Sequence, residues 1–204
     1  VIVFADQNKT IITKQSILDN TFKQTAEESI VDHRSKIIYK KSTFQNKRNI
    51  FSADSASYNR YRFIDKDEQK TILAKKVKKS TTSVNSNTID IYYTNELPLK
   101  AAPNEVGLAK GVVLEYVRNG NSGLVATKIE KINDFPAGYS IPKEENVLDI
   151  LTYRDEVWKS KFIQIPIFNN EKICFDPDNV KSDSILRFAA GTVLLKKVKV
   201  PALL

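Results

Sequence analysis

Few side chains in this 204-residue sequence can do chemistry unaided, since it holds one His, one Cys, one Trp and no Met. A nucleophilic triad needs a base, and His33 stands in the polar run Val31-Asp32-His33-Arg34 with no Gly-x-Ser-x-Gly segment to partner it. It reads as a solvated residue. Cys174 lies between Ile173 and Phe175. It reads as a small buried hydrophobe, because a reactive thiolate needs a positive, partly exposed setting that Lys172 alone does not supply. A lone Cys forms no internal disulfide, and one Cys with one His falls short of a structural zinc site. Phosphate loops and dinucleotide fingerprints are absent from the sequence. Paired carboxylates remain, as glycoside and glycosylamide chemistry use them as acid and base. Asp176 and Asp178 in Phe175-Asp176-Pro177-Asp178-Asn179 come nearest, but that composition is also that of a turn. No catalytic residue, metal site or cofactor is expected.

Binding chemistry is better represented. Tyr92, Asn95, Glu96 and Trp158 combine aromatic faces with polar groups, as a glycan-binding or protein-docking surface does. The same residues also fit a purely structural arrangement, with Tyr93 in the core, Tyr92 partly covered and Trp158 pinning a connector.

A net charge of +8 raises the question of nucleic acid. The lysines concentrate at Lys70, Lys75, Lys76, Lys78 and Lys79 and again at Lys196, Lys197 and Lys199. Both clusters lie in runs that read as strands, Ile72 to Val77 and Val193 to Val198, where lysine protects wet faces and edges. Arginine is scarce and aromatics do not alternate with the lysines, so no nucleic-acid partner is expected.

The elements that would position these residues are mostly strands. Hydrophobic content of 41% with 27% charged residues fits a globular chain, and no run is long and apolar enough for a membrane helix. Period-two alternation over Thr88 to Thr94 puts Ile89, Ile91 and Tyr93 on one face. Val112 to Arg118, then Asn119-Gly120, then Leu124 to Ile132 reads as a hairpin. Lys161 to Phe168 alternates around Pro166 and reads as an edge strand. Ser184 to Phe188 and Thr192 to Val200 follow as strands around a turn at Ala189-Ala190-Gly191. Helix is sparse: Pro142-Lys143-Glu144-Glu145 opens one, with Val147, Leu148, Leu151 and Trp158 as its apolar stripe, and Thr21 to Arg34 has helical composition. The expected class is mainly β, an antiparallel curved sheet in the form of an open barrel, bowl or sandwich, with one or two short helices. Residues 1–140 read as a β domain, 141–160 as a helical connector and 161–204 as a β segment.

Three runs carry a family resemblance: Ile72 to Thr82, Ile91 to Pro98, and Ala102 to Glu115. Together they resemble the GLPGLI family, secreted β-rich proteins common in Bacteroidetes, over roughly residues 36–135. The naming segment would be Gly107-Leu108-Ala109-Lys110-Gly111-Val112-Val113, with Ala109 in place of proline, Lys110 inserted and Tyr92 at the usual tryptophan position. In physical terms its two glycines bracket a turn that delivers the chain into the Val112 strand.

Residues 149–204 are similar to the entry into the first jelly roll of peptide-N-glycosidase F-like proteins that carry an additional N-terminal domain. That resemblance rests on Asp149 to Ser160 and on Ile185 to Val198. It implies an accessory module of a secreted amidohydrolase that cleaves the glycan–asparagine amide. The acids that do the chemistry would then lie beyond Leu204, and residues 161–204 would begin a jelly-roll domain. The implied partners are a glycoprotein or glycan and the adjoining catalytic jelly rolls. The implied location is secreted, periplasmic or outer-membrane-associated, with room for a lipid anchor outside these residues. A second function fits as well. Ile129 to Tyr139 resembles the closing strand of lipoprotein-carrier half barrels, which implies a stand-alone carrier holding a hydrophobic ligand in a curved sheet.

Overall fold

The computed structural model describes residues 1–161 and the backbone of residues 186–188 and 191–193. Two compact units divide the chain, Val1–Tyr153 and Arg154–Leu204. In the first, one sheet is built from β1 (Ile2–Ala5), β2 (Lys9–Thr13), β3 (Ala26–Asp32), β4 (Ile37–Thr43) and β5 (Asn49–Asp54), with a short helix α1 (Gln15–Leu18) between β2 and β3. The other comprises β6 (Ile64–Ile72), β7 (Lys75–Val84), β8 (Asn87–Thr94), β9 (Val112–Arg118) and β10 (Ser122–Val125). Within each sheet these strands lie side by side in chain order and antiparallel, so most pairings close through short turns. After β10 come a single 3-10 turn (Glu144–Asn146), β11 (Val147–Leu148), which pairs parallel with β5, and α2 (Ile150–Lys161). In the second unit β12 (Leu186–Phe188) pairs antiparallel with β13 (Gly191–Val193). The chain is thus mainly β, open and antiparallel, with short helices, as its sequence leads one to expect.

The two sheets face each other across a packed core. Val31 and Ile38 from one meet Ile89, Ile91, Tyr93 and Val113 from the other. On β7 the residues paired with Ile91 and Ile89 are the small Ser80 and Thr82, which leave those side chains room. Leu108, fully buried, and Ala102 plug this core from the loop between β8 and β9. The interior a hydrophobic carrier would keep open is therefore filled with side chains. Residues 129–139 form no strand, and Phe135 and Tyr139 instead pack on Ile11 and Ile30, on the face of the first sheet turned away from the second.

Beneath that cover lies a buried polar cluster. The Glu28 side chain has no solvent exposure, and its Oε1 accepts hydrogen bonds from Thr13 Oγ1 at 2.5 Å and from the Tyr139 hydroxyl. Its Oε2 lies 3.2 Å from Lys41 Nζ, which sits 4.6 Å from the centre of the Tyr139 ring. Burial, with the Glu28 carboxylate close by, pushes the Tyr139 hydroxyl up to about 12.

Several sequence expectations change here. The stretch from Thr21 to Arg34 is not helical: Ala26–Asp32 is hydrogen-bonded on both sides by β2 and β4, and that ladder overrides local propensity. The helix expected at Pro142 begins later. Val147 and Leu148 pair with Phe51 and Ser52, and Asp149 Oδ1 then accepts the N–H groups of Leu151 and Thr152, both at 3.0 Å, which caps α2. Leu151, expected in the apolar stripe, is 73% exposed, while Tyr153 and Val157 are the buried positions. The second arm of the Asn119-Gly120 hairpin stops at Val125, leaving Ile129 and Ile132 exposed. Leu73 and Ala74 do not continue a strand. They form the two-residue turn from β6 to β7 with φ of 50° and 59°, a left-handed geometry that costs residues with a Cβ about 1 kcal/mol each. Gly191 belongs to β13 rather than to a turn. Cys174, Asp176, Asp178, the strand expected over Lys161 to Phe168 and most of the last expected strand lie outside the described residues.

Lys41→Met, which strands Glu28 as an unpaired buried charge, is expected to lower unfolding free energy by roughly 3 kcal/mol in urea titration. Ala74→Gly should raise it by about 1 kcal/mol, because the turn already holds a positive φ at that position.

Candidate functional site

The long connection from Thr94 to Val112 is fixed by its own backbone. Ala101 bridges Val112, donating to the Gly111 carbonyl at 3.0 Å and accepting from the Val113 amide at 2.7 Å. Lys110 N–H donates to the Gly107 carbonyl at 3.0 Å and closes the turn between the two glycines. Gly111 has φ of 138°, and a Cβ there would fall 2.3 Å from Asn95 Oδ1 and 2.7 Å from the Thr94 carbonyl. Only glycine fits. The two glycines therefore do the structural job the sequence suggested, bringing the chain into β9.

This turn is a ridge between two surface hollows. One is lined by Gln7, Asn95, Leu97 to Lys100 and Ala109 to Gly111. The other is lined by Tyr58, Tyr61, Phe63, Glu105, Gly107, Ala109 and Lys110. Lys110 belongs to both. Its Nζ donates to Asp65 Oδ1 at 2.7 Å and stands 5.0 Å from the Tyr93 ring centre. Asp65 also accepts from Ser80 Oγ at 2.7 Å, and these donors, Lys110 foremost, hold its carboxyl below the usual range. Glu105 reaches the first sheet, where its Oε1 accepts from Ser29 Oγ at 2.9 Å and from Lys40 Nζ.

The residues singled out from sequence are distributed unevenly around this surface. Asn95 lies at the end of β8 and lines the first hollow. Glu96 is next to it but tied to β7: Oε1 accepts the Lys76 amide at 3.1 Å and Oε2 lies 3.3 Å from Lys75 Nζ. The Lys76 amide, with Lys75 second, keeps the Glu96 carboxyl below its ordinary value. Tyr92 is only 7% exposed, packed with Val77, Val112 and Leu114. Lys70 Nζ stands 3.5 Å from its ring centre and its hydroxyl donates to Glu68, so it presents no open ring face. Trp158 is part of α2 beyond Tyr153 and belongs to the second unit. Three lysines of the first cluster are ion-paired, Lys70 to Glu115, Lys75 to Glu96, and Lys79 to Glu68 and Asp90.

His33 is not the solvated residue its neighbours suggest. It is half-buried, with Nε2 2.8 Å from Thr10 Oγ1 and Nδ1 2.8 Å from the Tyr58 hydroxyl. Thr10 Oγ1 donates to the Lys100 carbonyl at 2.5 Å, and Lys100 Nζ donates to the Tyr58 oxygen at 3.3 Å. Lys100 donates to Tyr58, Tyr58 to Nδ1, Nε2–H to Thr10, and Thr10 back to the Lys100 carbonyl, a closed ring of bonds that a neutral imidazole protonated on Nε2 completes. Burial, with the nearby Lys100 charge second, lowers the His33 pKa from its ordinary 6.5. The sequence signal missed was the run Tyr58-Asn59-Arg60-Tyr61-Arg62-Phe63, whose aromatics line the second hollow and anchor this ring.

Two family models match in succession, the N-glycanase peptide N-terminal domain over residues 1–155 and the N-terminal part of peptide-N-glycosidase F over residues 164–204. The chain belongs to the family of N-glycanase N-terminal domains. Among solved structures it is similar to PNGF-II in space group C2, with 36% identity and a TM-score of 0.74. In space group P21 the corresponding values are 34% and 0.75. Each match covers 98% of this chain and 37% of the PNGF-II chain, so the chain spans little more than a third of the length of these relatives. No curated protein matches it.

Because His33 is neutral in the folded ring, the unfolded chain binds the extra proton as pH falls through 6.5, so stability present above that value is lost below it. Unfolding free energy should fall between about pH 7.5 and 5.5, above the carboxylate range, and His33→Phe should flatten that slope in parallel urea titrations. Gly111→Ala should cost more than about 2 kcal/mol in the same assay, and Gly120→Ala, whose Cβ would meet nothing within 4 Å, about 1 kcal/mol.

Proposed function

We propose that this chain is a non-catalytic N-terminal module of a secreted peptide-N-glycosidase-type amidohydrolase, supporting the catalytic part and helping to position glycoprotein substrate. The observation that carries this reading is the order of the two family matches along one chain that spans 37% of PNGF-II. The carboxylates around the candidate site agree with it. A general acid at neutral pH needs a raised pKa. Asp65 is instead held ionised by Lys110 and Ser80, Glu68 by Tyr92 and Lys79, and Glu96 by Lys76 and Lys75. These groups tie strands and loops together. The GLPGLI-like run and a location outside the cytoplasm belong to the same reading, and the catalytic acids are placed beyond Leu204.

A glycoprotein-positioning module acts on binding and not on the reacting bond. Removing residues 1–153 from the complete enzyme should raise KM for an intact glycoprotein about tenfold and leave kcat on a short glycopeptide unchanged. Glycan release followed by chromatography reads both. Equal kcat/KM on the glycoprotein with and without the module would sink the positioning role.

A further inference from the structure

The hollow beside the Gly107–Gly111 turn joins aromatic surface to unspent polar capacity. Tyr61 and Phe63 are half-exposed at its wall, and the Tyr61 hydroxyl has no partner among the described residues. Across from them both bonds to Glu105 fall on Oε1, which leaves Oε2 available to accept from a ligand. Lys110 completes the lining as a cation whose position is set by Asp65 and by the Tyr93 ring. The floor is stiff. Tyr58 is 4% exposed and held by the His33 ring of bonds, Gly107 by the turn, and Glu105 by Ser29 and Lys40 of the first sheet.

We infer that this hollow is a subsite for one pyranose ring of a neutral glycan, with Tyr61 and Phe63 as the apolar wall, Glu105 Oε2 accepting from ring hydroxyl or acetamido N–H groups, and Lys110 at the rim. The inference rests on the glycoprotein-positioning reading and names the part of the surface that would do it. The chemistry selects among ligands. A sugar has an apolar C–H face for an aromatic wall and donors for a carboxylate, and a rigid, largely pre-formed site suits such small ligands. Glu105 Oε2 offers a phosphate an acceptor where it needs donors, and two charged side chains make the hollow a poor seat for a lipid tail. The aromatic surface read from the sequence at Tyr92 is covered, so the half-exposed aromatic wall lies instead at residues 61 and 63, with Phe63 backed by the core and Arg60 5.8 Å from the Tyr61 ring centre.

The test is an NMR titration of the 204-residue chain with N,N′-diacetylchitobiose, the disaccharide that joins N-linked glycans to asparagine, with inorganic phosphate as the control for charge alone. Saturable shifts at residues 58–63 and 105–110 are expected. Tyr61→Ala and Glu105→Gln should each weaken chitobiose binding about tenfold, a change read from Kd at unaltered amide dispersion. Tyr61→Leu, which keeps bulk at that position, serves if Tyr61→Ala unfolds. Absence of saturable binding, or binding that Tyr61→Ala and Glu105→Gln both leave unchanged, overturns the subsite. The truncation kinetics of the complete enzyme judge the module reading separately, since they register any glycoprotein contact wherever it lies on residues 1–153.

Discussion

Both faces of the first sheet's central strands must be kept dry, and most of the first unit follows from that requirement. Val31 and Ile38 face the second sheet, while Ile11, Ile30 and the charged Glu28–Lys41 pair face the other way. An ion pair with an unexposed carboxylate survives only if its lone pairs are satisfied and water is shut out. Thr13 and Tyr139 satisfy Glu28 Oε1, Oε2 is left to the Lys41 charge alone, and the segment carrying Phe135 and Tyr139 is the lid that excludes solvent. The chain after β10 is thus committed to crossing that face, and it emerges at the edge of β5, where Val147 and Leu148 add a parallel strand.

The candidate surface depends on the other side of the same sheet. Ser29 and Lys40 hold Glu105, Thr10 and His33 hold Lys100, and Leu108 enters the core between the sheets. A long connection that would otherwise be loose is fastened at three places, with Gly111 pressed against Asn95 and the Thr94 carbonyl as a fourth. The two hollows inherit their rigidity from these anchors.

What the sequence discloses is local. Thr88 to Thr94 alternates cleanly because β8 sends Ile89, Ile91 and Tyr93 into one core, and Asn119-Gly120 announces its hairpin because both residues take a positive φ. β3 does not show itself, because it is buried on both faces and the polar residues Glu28 and Ser29 occupy buried positions, which erases the period of two. His33 looks solvated because its partners Tyr58 and Lys100 stand 25 and 67 positions away. Tyr92 looks like a surface aromatic because nothing in its neighbourhood reveals that Lys70 and the apolar side chains of β7 and β9 will cover it. The fold class survives such errors because hairpins are short-range, whereas the site is assembled from contacts that sequence spacing does not encode.

The parallel pairing of β11 with β5 has a consequence for the order of assembly. Neighbouring hairpins have low contact order and form as soon as both arms exist, but Phe51 waits nearly a hundred residues for Val147. During synthesis the first sheet leaves the ribosome with Glu28 and Lys41 still wet, and Tyr139 arrives only after the whole second sheet has been made. The nascent module is therefore half-solvated until its last strand is threaded. Its closure coincides with the emergence of α2.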